Sequence, residues 1–206
     1  MELKTYQNKA IEKLNEYLKK IRDLKGDHET AFLSIMNKES EKGVKYHNTY
    51  DVPFICMKMP TGGGKTLVAC HSIVEIMSNY LQEKLDKGVV LWFAPLDEIK
   101  TQTLKKLRDK NDMHKQVLDT SFKNNIKIFS DEEALRIRKQ DVEDNLCIIV
   151  VSLDSFRKEE KLRNKYKVYK ENGALANFFD NLKDDEFLEK DESGVIFSLA
   201  NVIRMY

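Results

Sequence analysis

The sequence has 206 residues, of which 41% are hydrophobic and 33% charged, with 35 Lys and Arg against 34 Asp and Glu. This composition supplies enough apolar side chains for a core and excludes a wholly disordered chain. With only 8 Gly and 3 Pro it also excludes a collagen-like or low-complexity one. Because the charge is nearly balanced, any nucleic-acid contact must come from local patches.

Targeting signals and metal-binding cysteine pairs are not evident. No apolar run approaches the roughly 18–20 residues that cross a bilayer, and the N-terminus lacks the apolar core of a secretory signal. Cys56, Cys70 and Cys147 are far apart and form no Cys-x-x-Cys pair, so we interpret each as a small hydrophobic residue. We therefore expect a soluble protein of the reducing cytoplasm.

The first part of the chain predicts helix, loop, strand and helix. Apolar residues at helical spacing predict an amphipathic helix over residues 6–24, with Thr5 as its N-cap. Residues 25–50 are polar and mixed, as in a short helix and loop. The apolar run 52–57 is typical of a strand. After a glycine cluster, apolar residues between 67 and 77 return to helical spacing.

The same alternation continues along the chain. Apolar runs predict strands over 89–94, 126–129 and 146–151, and helices are predicted over about 97–110 and 131–139. Ser130 and Glu133 would form the capping box of the second of these helices. Strands with continuous apolar runs, separated by helices, predict an α/β fold in which helices cover both faces of a parallel sheet.

Charge is segregated after residue 156. Residues 157–170 are mainly basic and residues 180–192 mainly acidic. Such runs are most often solvated faces of helices. A charge-paired insertion, or a basic edge that faces DNA, is the alternative.

Residues 59–66, Met-Pro-Thr-Gly-Gly-Gly-Lys-Thr, carry the clearest chemical motif. Glycines between a strand and a helix let consecutive N–H groups point at phosphate oxygens, at the positive end of the helix dipole. Lys65 would reach the β- and γ-phosphates, and the Thr66 hydroxyl would ligate Mg²⁺. The strict pattern asks for glycine where Met59 stands. The alternative is a glycine-rich turn without a ligand. We predict a nucleoside triphosphate site formed by Thr61, Gly62, Gly63, Gly64, Lys65 and Thr66.

This motif resembles motif I of superfamily 2 helicases and DNA translocases. Residues 3–7, Leu-Lys-Thr-Tyr-Gln, resemble the N-terminal Leu-x-x-Tyr-Gln segment of that superfamily. The resemblance implies that Gln7 reads the adenine edge, and the alternative is a surface amide on the first helix.

Two later segments resemble the nucleic-acid-contacting motifs of the same superfamily. Residues 93–102 resemble motif Ia, which implies that Pro95, Leu96 and Gln102 lie against the DNA backbone; an ordinary strand-to-helix loop is the alternative. Residues 151–156 resemble a later strand-end motif. Its hydroxyls, on Ser152 and Ser155, would face phosphates or serve as helix caps.

Together these segments most resemble the restriction (Res) subunit of type III restriction–modification enzymes, over nearly the whole chain. The resemblance implies a RecA-like P-loop NTPase domain with ATP and Mg²⁺ as cofactors, double-stranded DNA as substrate and a modification (methyltransferase) subunit as partner. It divides the chain into an adenine-reading helical region (1–50), a βα core (51–156) and a charged helical segment (157–206). Residues 199–205 resemble the stretch before the DEAH box of that family.

The Walker B carboxylates that would complete the site are not evident. Asp97–Glu98 belongs to the motif Ia segment, 131–133 to a capping box, and Asp154 has no adjacent Glu. We therefore expect an incomplete first motor domain that binds ATP weakly, if at all, and does not hydrolyse it.

Three other interpretations stay open. The chain could be a stand-alone, non-catalytic nucleotide-binding or interaction module. It could be the motor fragment of a type I restriction enzyme or of another DEAD/DEAH helicase. The least favoured is a P-loop kinase, in which Arg136 and Arg138 would serve as lid arginines.

Overall fold

A computed structural model describes residues 3–37, 43–48, 50, 52–81, 87–156, 167–180, 182 and 187–206; for residues 155 and 156 it describes the backbone only. The chain forms two compact units, residues 1–85 and residues 86–206, called here the N-terminal and C-terminal units. The division falls inside the predicted βα core 51–156. In the described ranges, no helix combines the length and the apolar character needed to span a membrane.

The regular secondary structure in the described part of the N-terminal unit is all helical. It contains α1 (Thr5–Asp23), α2 (His28–Met36) and α3 (Lys65–Ile76), and α3 continues into a π-helical turn, Met77–Leu81. The amphipathic helix predicted over 6–24 is confirmed as α1. Its predicted N-cap is wrong, since Thr5 is already helical and the extended residue before it is Lys4.

The strand predicted over residues 52–57 is wrong. Residues 53–59 form no strand, and Val52, Phe54 and Ile55 are 58%, 64% and 38% exposed. An extended segment becomes a strand only where a neighbouring strand pairs with its N–H and C=O groups. The described part of the N-terminal unit contains no strand to pair with it, and Pro53 has no N–H to donate.

The C-terminal unit contains a parallel three-stranded sheet in the order β1-β3-β2. Its strands are β1 (Gly88–Ala94), β2 (Ile126–Ser130) and β3 (Leu146–Ser152), which confirms the three strands predicted in this part of the chain. All seven residues of the central strand β3 are buried. Both of its faces are therefore covered, as expected for a parallel sheet with helices on both sides.

Four helices lie between these strands in sequence. They are α4 (Asp97–Arg108), α5 (Met113–Ser121), α6 (Asp131–Ala134) and α7 (Lys139–Asp144). The predicted helix 97–110 is confirmed as α4, which contacts all three strands, whereas α5 was not predicted. The predicted helix 131–139 is too long. It ends at Ala134 because the chain turns and Arg138 takes an extended conformation that starts α7. The capping box of Ser130 and Glu133 is confirmed.

The buried carboxylate of Asp141 organises the start of α7. It is 5% exposed and accepts hydrogen bonds from the Lys127 Nζ at 2.6 Å and from the Arg138 backbone N–H at 2.9 Å. Burial by itself would raise the pKa of Asp141, but the bonds from Arg138 and Lys127 outweigh it and lower the pKa to about 2. Asp141 is thus a charged residue held in place by two cations.

The three cysteines do not share one environment. Cys70 and Cys147 are buried, as expected of small hydrophobic residues, but Cys56 is exposed, so that expectation is wrong for Cys56. Burial raises the pKa of the Cys147 thiol to about 12. The Cys147 side chain therefore remains a neutral thiol in the core of the C-terminal unit.

The last part of the chain combines short elements with one helix. Lys167–Tyr169 and Gly173–Phe178 are 3₁₀ turns, β4 (Lys190–Asp191) and β5 (Gly194–Val195) form a small antiparallel hairpin, and α8 covers Leu199–Met205. Within the acidic run, residues 187–192 lie in a turn and a hairpin instead of on a helix. Residues 157–166 of the basic run, and residues 181 and 183–186 of the acidic run, lie outside the described residues.

Candidate nucleotide-binding site

Residues 60–64 form a tight turn that leads directly into α3. The Gly63 N–H donates to the Pro60 carbonyl at 3.1 Å, and Gly62 and Gly64 both have φ of +73°. Residues with a Cβ rarely adopt this left-handed conformation, so glycine is required at both positions. The predicted transition from glycine loop to helix is present at Lys65.

The start of α3 has the properties of an anion site. The first amide groups of a helix have no intrahelical acceptor and lie at the positive end of its dipole. No acidic residue lies in the first turn of α3. Thr61, Gly62 and Lys65 are exposed, Gly64 and Thr66 are half-buried, and Gly63 is buried. These residues fit a phosphate chain, which would take the place of solvent at the loop.

The Lys65 ammonium group already lies across the loop. Its Nζ donates to the Pro60 carbonyl oxygen at 2.8 Å. Since this acceptor is a neutral carbonyl at an exposed position, a phosphate oxygen is the stronger partner for the same cation. Lys65 is therefore placed at the loop that it would serve.

The loop offers fewer groups to Mg²⁺ than to the phosphates. The ion prefers oxygen ligands and is commonly held by one or two protein groups together with substrate phosphates. Thr66, half-buried in the first turn of α3, is the predicted protein ligand. Within the described residues, no group of three or more His, Cys, Asp or Glu side chains is arranged to hold a metal. When bound, the ion would supply charge neutralisation at the β- and γ-phosphates.

Gln7 lies against this loop. The residue is 5% exposed. Its Nε2 donates to the Gly63 carbonyl at 2.9 Å, and its Oε1 accepts from the Lys4 N–H at 2.9 Å. The alternative that Gln7 is a surface amide is therefore wrong. An amide retains one further donor hydrogen and one further acceptor lone pair after these bonds, so its role in reading adenine stays a prediction.

Tyr6 also contacts the loop, although it was not predicted as a site residue. Its hydroxyl donates to the same Gly63 carbonyl at 3.0 Å, and the residue is 40% exposed. The available signal was its position next to Gln7 in the Tyr-Gln pair. Contacts on this side also leave no room at Gly64, where an added Cβ would lie 2.4 Å from the Gln7 Nε2.

The candidate DNA contacts belong to the C-terminal unit, and three of them, Pro95, Leu96 and Ser152, lie at one edge of its sheet. Ala94 and Ser152, the last residues of β1 and β3, are paired partners in the parallel ladder. The loop with Pro95 and Leu96 therefore leaves the sheet at the same edge as the strand-end motif that begins at Ser152. Leu96 is 60% exposed, whereas Ser152 is 8% exposed.

The other two candidate contacts are described less fully or lie on a helix. Gln102 is exposed on α4, the helix that follows the Pro95–Leu96 loop. The backbone of Ser155 lies in a 3₁₀ turn, Leu153–Phe156, but its side chain lies outside the described residues.

Three of the six carboxylates considered as Walker B candidates, Asp97, Asp131 and Glu133, are held by cations or caps. Asp97 and Asp131 both pair with the Lys100 Nζ, at 3.4 and 3.2 Å. Glu133 accepts from the Ser130 N–H at 2.7 Å and pairs with Arg108. Burial would raise the pKa of Glu133, but these contacts outweigh it and lower the pKa. Asp131 and Glu133 thus act as structural groups at the start of α6.

A cavity of about 450 Å³ in the N-terminal unit is separate from this site. It is lined mainly by apolar residues of α1 and α2 and by the segment 54–59, and none of residues 60–66 lines it. The cavity is therefore not part of the candidate nucleotide-binding site.

Comparison with known proteins supports the family indicated by these motifs. Residues 1–197 match the family described as type III restriction enzyme, res subunit. No curated protein and no solved structure matches the chain. The family match covers the phosphate loop, the parallel sheet and both segments at its edge. The chain therefore belongs to the type III restriction enzyme res subunit family, whose RecA-like domain is that of helicase-like, ATP-dependent DNA motors.

Proposed function

We propose that this chain binds ATP with Mg²⁺ and contacts double-stranded DNA, as part of the motor of a type III restriction–modification enzyme. The observation that carries the proposal is the turn 60–64, closed by the Gly63 and Lys65 contacts and followed directly by α3. Family membership adds the DNA-motor context.

In the proposed site, the amide groups of residues 62–66 bind the β- and γ-phosphates. Lys65 exchanges the Pro60 carbonyl for a phosphate oxygen and contributes its charge. Thr66 supplies an oxygen to Mg²⁺, and Gln7 uses its remaining hydrogen-bonding capacity on adenine. This arrangement would bind the nucleotide and its metal through backbone amides and three side chains.

DNA would lie along the sheet edge at Pro95, Leu96 and Ser152, with Gln102 on α4 and Ser155 in the following 3₁₀ turn as further contacts. Contacts of this kind position a phosphate backbone without reading the bases. We propose that sequence recognition resides in a methyltransferase partner subunit, and that the complex acts in the cytoplasm.

We further propose that this chain binds ATP without hydrolysing it. Hydrolysis needs a carboxylate that orients the attacking water and another that holds the metal. Asp97 and Asp131 are paired with Lys100, and Glu133 is bound to Ser130 and Arg108. The second candidate function is a non-catalytic nucleotide-binding module. The pairing of these carboxylates also favours it, and it differs from the first proposal only in lacking DNA contact.

Fluorescence titration with mant-ATP and Mg²⁺ tests the nucleotide site. We expect the wild type to bind and Lys65→Ala to lose most of that binding, because the variant removes the cation from the loop. Lys19→Ala, which changes an exposed lysine of α1, is the control and should bind as the wild type does. Equal binding by wild type and Lys65→Ala, or no binding by either, would contradict the proposal.

A further inference from the structure

The carbonyl group of Gly63 is held from outside the loop by two side chains. The Tyr6 hydroxyl donates to it at 3.0 Å and the Gln7 Nε2 at 2.9 Å. Both donors lie in the first turn of α1, more than fifty residues earlier in the chain. Gly63 is buried, so this carbonyl depends on protein donors.

The direction of this carbonyl determines the direction of the next amide. A trans peptide unit is planar, and its C=O and N–H groups point in opposite directions. With the Gly63 oxygen turned toward α1, the Gly64 N–H is turned away from α1, at the start of α3. If the unit between the two glycines rotated, a carbonyl oxygen would face the phosphate instead of an N–H, and glycine offers little steric resistance to that rotation.

We infer that Tyr6 is a positioning residue of the phosphate loop, whose hydroxyl fixes the Gly63–Gly64 peptide so that the Gly64 N–H is presented to a bound phosphate. The inference rests on the proposed nucleotide site. Gln7 also donates to the Gly63 carbonyl in the structure, but it is the residue expected to read adenine. When its amide turns toward a base, Tyr6 remains as the donor that holds the loop.

Tyr6→Phe tests this inference because it removes only the hydroxyl. We expect calorimetric titration to show Mg²⁺–tripolyphosphate binding weakened about three- to tenfold, the loss expected for one hydrogen bond, with adenosine binding unchanged. Tyr17→Phe is the matched control. The Tyr17 hydroxyl also donates from α1 to a backbone carbonyl, that of His28 at 3.2 Å. Because His28 is not part of the phosphate loop, the Tyr17→Phe variant should bind both ligands as the wild type does.

A second measurement needs no ligand. In ¹⁵N-labelled protein, Tyr6→Phe should shift or broaden the Gly64 amide resonance, and Tyr17→Phe should leave it unchanged. An unchanged Gly64 resonance, or tripolyphosphate binding equal to that of the wild type, would overturn the inference. Equal weakening of tripolyphosphate and adenosine would also overturn it, because it indicates a general loss of structure. If the wild type and Lys65→Ala both fail to bind tripolyphosphate, the proposed function fails, and the Gly64 resonance alone decides the role of Tyr6.

Discussion

Gln7 and Gly64 are packed so closely that a Cβ added to the glycine would lie 2.4 Å from the Gln7 Nε2. Gly62, two residues earlier, has the same φ of +73° but open space around it. A side chain at Gly62 would meet only backbone strain, whereas a side chain at Gly64 would meet the same strain and also collide with Gln7. The first turn of α1 is therefore packed directly against the phosphate loop.

Gly62→Ala should lower the free energy of unfolding by about 1–2 kcal/mol, the cost of placing a Cβ in the left-handed region. Gly64→Ala should cost more, because the buried Gln7 amide must move away from the added Cβ and give up its hydrogen bond to Gly63. Urea unfolding of both variants measures the difference. Gly173→Ala, at a glycine with open space and no positive φ, is the control. Equal losses for Gly62→Ala and Gly64→Ala would contradict the packing described at Gln7.

The charged state of Asp141 should make stability depend on acid pH. Its pKa falls from 3.8 to about 2 on folding, so its contribution is fully present above pH 3.8 and is lost as the pH drops toward 2. A shift of this size corresponds to about 2 kcal/mol. We therefore expect the free energy of urea unfolding to fall more steeply between pH 5 and pH 2 in the wild type than in Asp141→Asn.

Asp144→Asn, which changes an exposed carboxylate of the same helix, is the control for this measurement. It should retain the steep wild-type dependence. At neutral pH, Asp141→Asn should itself be destabilised, because Lys127 and Arg138 lose a charged partner. Parallel pH profiles for wild type and Asp141→Asn would show that Asp141 carries no such contribution.

Elements of the fold could be predicted where neighbouring residues in the sequence determine them, and could not where residues distant in the sequence do. The strand at 146–151 was predictable because a strand buried on both faces is a continuous apolar run. The run 52–57 looks similar but forms no strand, because no strand in the described part of the N-terminal unit pairs with it. A single segment of sequence does not reveal whether such a partner exists. The break between α6 and α7 arises from the extended backbone at Arg138 and its bond to Asp141, which no periodicity reveals.

The candidate site shows the same limit. The glycine motif predicted both the turn and the start of α3, because the left-handed positions and the helix N-terminus are encoded in adjacent residues. The contacts of Tyr6 and Gln7 with Gly63 join segments far apart in sequence. Only the fold shows that these side chains meet one loop carbonyl.

We predict that Gln102, on the helix that follows the Pro95–Leu96 loop, contributes to DNA binding. Gln102→Ala should weaken binding of a fluorescent DNA duplex about three- to tenfold, the loss of one hydrogen bond to the backbone. Fluorescence anisotropy at several salt concentrations measures the change. Gln116→Ala alters an exposed glutamine on α5 and should bind as the wild type does. If Gln102→Ala binds unchanged while Leu96→Asp also has no effect, DNA does not use the sheet edge.

Steady-state ATP turnover should stay below about 0.1 s⁻¹, two decades under the typical enzyme value, with and without DNA. The physical reason is that Asp131 and Glu133 are held by Lys100, Ser130 and Arg108. Faster turnover that disappears in Lys65→Ala would contradict this prediction. Asp131→Asn, Glu133→Gln and Asp154→Asn would then identify the carboxylate responsible. Because Asp131 and Glu133 hold the start of α6, loss of turnover in either variant counts as catalytic only if its unfolding curve matches that of the wild type.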